Sequence, residues 1–146
     1  MEWKREFEIG VELIDGHNRQ LFERFGRLLD GARGWDDAGF DETLAFLEAR
    51  AVDQLEEERR LMLASGYPLA EEHARAHARF VETVREVAEQ RRASRASPWP
   101  GAKLTLFLSS WLREHVLDLD QDLGRFLRTH PGRGAGDEAP QAALEP

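Results

Sequence analysis

Residues 69–92, which read LAEEHARAHARFVETVREVAEQRR, contain two histidines four positions apart, His73 and His77. An α-helix advances about 100° per residue, so side chains four positions apart lie on one face, a single turn from each other. The apolar residues of the stretch recur on that same face, namely Phe80, Val84 and Val87. The stretch therefore predicts an amphipathic helix that turns two imidazoles and an apolar stripe toward a protein core.

Three other segments repeat apolar residues at spacings of three and four, which predicts further helices over residues 16–31, 41–65 and 102–129. Glycines and prolines separate the four segments, so the connecting loops are expected to be short. Four helices of comparable length with short loops favour an all-α fold, an up-down-up-down antiparallel four-helix bundle. An irregular N-terminal arm is expected to precede the first helix.

The ends of the predicted helices carry recognisable signals. Asp15 and Asp41 are expected to be the N-caps of the first and second helices, because their side chains can accept a backbone N–H there. Gly66 is expected just past the end of the second helix. The bundle is expected to occupy residues 1–130, and residues 131–146, rich in Gly, Pro, Ala and acid, are expected to be a disordered tail.

Composition excludes several classes of function. The chain has 146 residues and a net charge of -8, which argues against a nucleic-acid partner, because nucleic-acid binding needs clustered Lys and Arg. No apolar run approaches the ~18 residues of a membrane span, and no secretory segment is visible, so a cytoplasmic location is expected. The chain has no cysteine, so any metal must be held by nitrogen and oxygen ligands.

Polar side chains fall on the inward faces of all four predicted helices. Besides His73 and His77, these are His17 on the first helix, Glu58 on the second and His115 on the fourth. A single histidine on a helix is usually a surface residue, and Glu56 and Glu57 are expected to form a solvated face. The joint pattern is different, because leaving several imidazoles and a carboxylate buried and unpaired would cost several kcal/mol. The pattern therefore favours a metal site in the bundle core.

The acidic residues after His115 do not identify a ligand by their spacing. His115 and Asp120 are five positions apart, which is about 500° of rotation and leaves the two side chains about 140° apart on an ideal helix. Asp118 and Asp122 are equally compatible with a site at this place. Periodicity therefore does not choose Asp120.

Four segments together resemble the hemerythrins, specifically the single-domain bacterial kind. Residues 14–22 (IDGHNRQLF) resemble the first ligand motif, and residues 54–62 (QLEEERRLM) resemble the H-F-x-x-E-E segment. Residues 66–77 resemble the Y-P…H-x-x-x-H segment, and residues 111–120 (WLREHVLDLD) are similar to W-L-x-x-H-x-x-x-x-D. The similarity covers residues 3 to about 127.

The resemblance implies a non-haem di-iron site. It assigns His73, His77 and His115 to one iron and places His17 and position 54 at the other. It also makes Glu58 and Asp120 the bridging carboxylates. The implied cofactor is two non-haem iron ions, oxo- or hydroxo-bridged when oxidised. The implied ligand is O2, and the changed residue at position 54 extends the candidates to peroxide and NO.

The chain departs from the family pattern at Gln54, where a histidine belongs. An amide oxygen is a neutral, weak ligand, whereas imidazole suits iron well, so Gln54 is expected to ligate weakly or to lie beside the metal. The principal hypothesis is a binding protein for O2 or a related ligand. One alternative is a di-iron enzyme with peroxidase, oxidase or NO-reducing activity, supplied by a reductase partner. Another is a degenerate metal-binding bundle that holds about one metal, mainly on the three histidines.

Overall fold

The computed structural model describes residues 2–30 and 37–130, and it confirms the predicted all-α four-helix bundle. The predicted disordered tail lies outside the described residues. A 3-10 turn at Arg5–Phe7 is the regular part of the N-terminal arm. The bundle elements are α1 (Glu12–Asp30), α2 (Asp37–Phe46), a π-helical turn (Leu47–Ala51), α3 (Val52–Ser65), α4 (Ala70–Ala93), α5 (Trp99–Glu114), a second π-helical turn (His115–Leu119) and α6 (Asp120–Thr129).

The bundle consists of four helical rods, and two of these rods each join two helices through a π turn. Helices α2 and α3 form one rod through Leu47–Ala51, and helices α5 and α6 form another through His115–Leu119. Apolar residues from all four rods meet in a shared core that includes Phe25, Leu47 and Val84. Within the described part of the chain, no helix combines the length and the apolarity needed to cross a membrane.

The predicted N-cap roles of Asp15 and Asp41 are wrong. Helix α1 already begins at Glu12, and the Asp15 carboxylate accepts the backbone N–H groups of Ile9 at 2.8 Å and Gly10 at 3.0 Å. Asp15 therefore fixes the N-terminal arm and does not cap the helix. Asp41 lies inside α2 and binds arginines instead. By contrast Gly66 follows α3 with a φ of 69°, as expected for a residue that ends a helix in the left-handed conformation.

The arm packs closely against α6. Arg128 Nη1 donates to the carbonyl oxygen of Ile9 at 2.7 Å, and Gln121 Nε2 donates to that of Phe7 at 3.2 Å. A Cβ atom added at Gly124 would lie 2.6 Å from Ile9 Cβ, which is too close for any side chain. Glycine at this position therefore lets the arm cross the helix and close one end of the bundle.

A buried arginine joins α4 to α2. Arg91 is only 5% exposed, and its Nε donates to Asp41 Oδ1 at 2.9 Å while its Nη2 donates to Asp37 Oδ1 at 3.0 Å. Arg95 Nη2 donates to the second oxygen of Asp41 at 2.6 Å. These hydrogen bonds from Arg91 and Arg95 lower the pKa of Asp41 below its usual value. The carboxylate thus satisfies a guanidinium that would otherwise be costly to bury.

We expect Asp41→Asn to lower the free energy of unfolding by about 1 kcal/mol at neutral pH, since Asp41 is partly exposed. Because the folded pKa of Asp41 is depressed, its stabilisation is present above the unfolded value of 3.8 and is lost as the pH falls below it. Urea unfolding of both proteins at neutral pH and near pH 3 measures this. Asp53→Asn, the same charge change at an exposed position, is the control. A difference that did not shrink in acid would contradict the prediction.

Candidate metal centre

Three imidazoles and two carboxylates meet in the bundle core. The Nε2 atom of His115 lies 3.0 Å from that of His73 and 3.1 Å from that of His77. Oε1 of Glu58 lies 2.9 Å from Nε2 of His73, 3.7 Å from that of His77 and 3.9 Å from that of His115. One ligand atom from each of Glu58, His73, His77 and His115 falls within a span of 4.8 Å. The structure thus brings together side chains from α3, α4 and the end of α5.

Asp120 belongs to this cluster because of the π turn that precedes it. Its backbone N–H bonds to the carbonyl oxygen of His115, five residues earlier, so the wider turn places the two side chains together. Oδ1 of Asp120 lies 3.1 Å from Nε2 of His115 and 3.2 Å from that of His73. The angular separation expected from an ideal helix is therefore wrong for this segment. Asp118 is exposed, and Asp122 is directed to Tyr67.

The distances within the cluster match the ligand spacing around one metal ion. Ligand bonds of about 2.1 Å in octahedral geometry put neighbouring ligand atoms about 3.0 Å apart. The contacts of His73 and His115 with each other and with Asp120 lie between 3.0 and 3.2 Å. Two of the carboxylate oxygens, Glu58 Oε1 and Asp120 Oδ1, are buried and face the imidazole Nε2 atoms of the cluster. A divalent cation would satisfy these oxygens and neutralise the two carboxylates, so the residues fit a metal ion.

Burial and neighbouring charges shift the pKa values of the clustered side chains in different directions. Burial, together with His115 and His73, lowers the pKa of His77 to about 2. Burial also acts on His115, but the Asp120 and Glu58 carboxylates outweigh it and raise its pKa to about 9. Burial opposes ionisation of Asp120, yet His115 and His73 hold the pKa of this carboxyl below its usual value. Burial therefore favours the neutral imidazole of His77, which is the form that binds a metal.

Aromatic packing orients the imidazoles. Trp111 stacks on His115 with ring centroids 4.2 Å apart and an interplanar angle of 8°, and its Nε1 donates to the carbonyl oxygen of Ala76 at 3.3 Å. Tyr67 approaches His73 edge-on at 6.5 Å. The Nδ1 atoms of the three clustered histidines are buried without a hydrogen-bond partner in the described chain. Ring orientation therefore depends on packing, and the buried Trp111 ring packs on a candidate ligand.

The residues predicted for a second metal position, His17 and Gln54, contact other side chains of α1 and α3. His17 is not among the four clustered residues, and its Nε2 lies 3.5 Å from Oε2 of Glu57. Glu57 was expected to be merely solvated. Burial lowers the pKa of His17, against the opposing effect of Glu57 and Glu58. Gln54 donates through Nε2 to Gln20 Oε1 at 2.9 Å, while its own Oε1 is buried without a partner among the described residues. The role of His17 as a metal ligand stays a prediction from the resemblance.

Asn18 is the polar residue that the sequence analysis missed. Its Nδ2 donates to Asp120 Oδ2 at 2.6 Å, and the side chain is 3% exposed. Asn18 lies four residues after Ile14 and three before Leu21, so it satisfies the same inward periodicity as His17. An asparagine on an otherwise apolar stripe was the available signal, since a buried amide needs a partner.

A helical bundle with histidines and carboxylates converging on its core is a metal-binding bundle protein, and comparison with known proteins gives its family. The family model of the hemerythrin HHE cation binding domain matches residues 9–127. Bacteriohemerythrin of Stenotrophomonas maltophilia is 27% identical over 140 residues, which are 90% of this chain and 90% of that protein. Those of Pseudomonas aeruginosa and Pseudomonas paraeruginosa are 27% identical over 118 residues, 81% of this chain and 75% of theirs. The chain belongs to the hemerythrin family.

Proposed function

We propose that this protein is a non-haem iron protein that binds O2, or a related small ligand such as peroxide or NO, in the core of the bundle. The observation that supports this most directly is the buried cluster of His73, His77, His115 and Glu58 in a chain of the hemerythrin family. Iron bound there would supply a redox-active centre to which such a ligand can attach. Two iron ions per chain remain the prediction of the resemblance.

The protein's own residues would hold the metal and keep water away from it. Apolar side chains lie about one helical turn from the ligands on both sides of the cluster. These side chains are fully buried: Met62 after Glu58, Leu123 after Asp120, Leu112 before His115 and Phe80 after His77. Exclusion of water strengthens the electrostatic interactions of a bound ligand and limits side reactions. The site is therefore suited to a small, weakly polar molecule.

Anaerobic reconstitution with ferrous iron tests the proposal. The metal content per folded chain is measured first, and the visible absorption is then followed while O2 is added and removed. We expect an absorption band that appears with O2 and disappears on its removal. Folded protein that binds no iron, or iron-loaded protein whose spectrum does not respond to O2, peroxide or NO, would overturn the proposal.

An enzymatic function is the second candidate, and Gln54 is the observation that favours it. The amide nitrogen of Gln54 donates a hydrogen bond to Gln20, and its oxygen is a weak ligand. Position 54 therefore offers a metal weaker ligation than a histidine would. A less fully ligated iron is better suited to turnover than to stable storage. Consumption of peroxide or NO with an added reductant, in place of reversible O2 binding, would support this candidate. Gln54→His, compared with the unaltered chain, tests whether position 54 controls the outcome.

A further inference from the structure

Helix α1 has two adjacent polar residues, His17 and Asn18, near the core, and Asn18 is the more deeply buried of the two. Asn18 is 3% exposed and lies on the buried stripe with Ile14 and Leu21, whereas the His17 side chain is 16% exposed and lies beside that stripe. The residue of α1 that faces the metal cluster is thus an amide and not an imidazole.

The two carboxylate oxygens of Asp120 have different partners, and Asn18 is the partner of one of them. Oδ1 of Asp120 faces the Nε2 atoms of His73 and His115, and Oδ2 accepts a hydrogen bond from Asn18 Nδ2 at 2.6 Å. An ionised carboxylate only accepts hydrogen bonds, so the NH2 end of the amide must face it. A carboxylate that bridges two metals offers one oxygen to each. Here the oxygen farther from the histidines is already bound to a protein donor.

The side chains predicted for a second metal are paired along the seam between α1 and α3. His17 contacts Glu57 at 3.5 Å, and Gln20, three residues further along α1, accepts from Gln54, three residues before Glu57. These two contacts lie side by side, about one helical turn apart. Along the seam the imidazole of His17 contacts the exposed carboxylate of Glu57, and its ring nitrogens are not among the ligand atoms grouped with Glu58 and the three histidines.

Charge also favours a single ion in the core. Glu58 and Asp120 are the buried carboxylates of the cluster, and one divalent cation neutralises both. A second divalent cation would add uncompensated charge in a position without a clustered imidazole, which is unfavourable in a buried site.

We infer that the bundle core holds one metal ion on His73, His77 and His115, and that Asn18 is a positioning residue that holds Asp120 as a ligand to that ion. This inference rests on the proposed function and sharpens it. Asn18 acts through the carboxylate, as an outer hydrogen-bond partner that orients a ligand. His17 belongs to the α1–α3 seam.

Anaerobic titration with ferrous iron, followed by counting metal per folded chain, distinguishes the two arrangements. We expect about one iron per chain in the unaltered protein and in His17→Gln. Asn18→Ala should weaken iron binding about 10–100-fold, which is the usual effect of removing a partner that orients a ligand. Gln90→Ala, a change at an exposed amide near the far end of α4, is the control and should not alter the affinity. After oxidation in air, a lone ferric ion should give an electron paramagnetic resonance signal that a coupled ferric pair would not.

Two iron ions per chain, reduced to one in His17→Gln, would overturn the inference and leave the proposed function intact. One iron per chain with unchanged affinity in Asn18→Ala would overturn the positioning role of Asn18. Folded protein that binds no iron would overturn the proposed function itself. Circular dichroism of each variant shows whether a loss of metal is a loss of fold.

Discussion

His115→Ala is expected to abolish tight metal binding, with a loss of affinity larger than about 100-fold. His115 lies between the other two histidines, 3.0 Å from His73 and 3.1 Å from His77, and it also contacts Asp120. Its removal leaves two imidazoles on one helix and eliminates the candidate ligand that joins α4 to the second π turn. Metal content after reconstitution and dialysis, together with a binding titration, measures the effect.

The matched control for this variant is His130→Ala. His130 is an exposed histidine at the end of α6, and it hydrogen-bonds only locally with Thr129 and Phe126. We expect its replacement to leave metal binding unchanged. Because His115→Ala also removes the ring that stacks on Trp111, its helical content must be checked by circular dichroism. A well-folded His115→Ala protein with the metal affinity of the unaltered chain would contradict the assignment of the site.

Iron loading is expected to raise the melting temperature by about 12–16 °C over the metal-free protein. A ligand that binds only the folded state at 1,000 times its dissociation constant stabilises that state by about 4 kcal/mol. For a domain of this size, each kcal/mol shifts the melting temperature by about 3–4 °C. The physical source is the buried cluster, in which the carboxylates of Glu58 and Asp120 face only imidazole nitrogens at Oε1 and Oδ1 among the described contacts, and a cation would neutralise both carboxylates.

Thermal unfolding without oxygen, with ferrous iron and with a chelator, measures this shift. The same comparison in His115→Ala should show a shift close to zero, because that variant no longer binds the ion. A melting temperature independent of iron in the unaltered chain would mean that the cluster does not couple metal binding to folding. The metal cluster and the ion pairs of Asp41 lie in different parts of the bundle. Their effects on the free energy of unfolding should therefore add.

Local sequence was sufficient where a residue's environment depends on its own helix. The four-residue spacing of His73 and His77 placed both on the buried face of α4, and Gly66 ended α3 as expected. The helix starts were predicted less well. Asp15 and Asp41 have the chemistry of N-caps, but they bind the backbone of the arm and a buried arginine, which are partners remote in sequence or in another helix.

The choice between Asp118, Asp120 and Asp122 depended on a change of helical pitch. A π turn between His115 and Leu119 adds a residue to one turn, and this brings Asp120 under His115. Regular periodicity assumes a uniform pitch, so it cannot anticipate such a turn. The π turn forms in the context of the packed rod, where Val116 is fully buried and Leu117 is exposed.

By itself the sequence predicted the class of fold, a set of inward histidines and the absence of a histidine at position 54, because these follow from residue identity and helical spacing. Only the tertiary structure decided which neighbour on α1 faces the core. His17 and Asn18 both fit the inward stripe, and they differ by a rotation of about 100°. The contact of Asn18 with Asp120, 102 residues away in the chain, settles which one is buried. Contacts between distant helices set that rotation, and no local pattern encodes them.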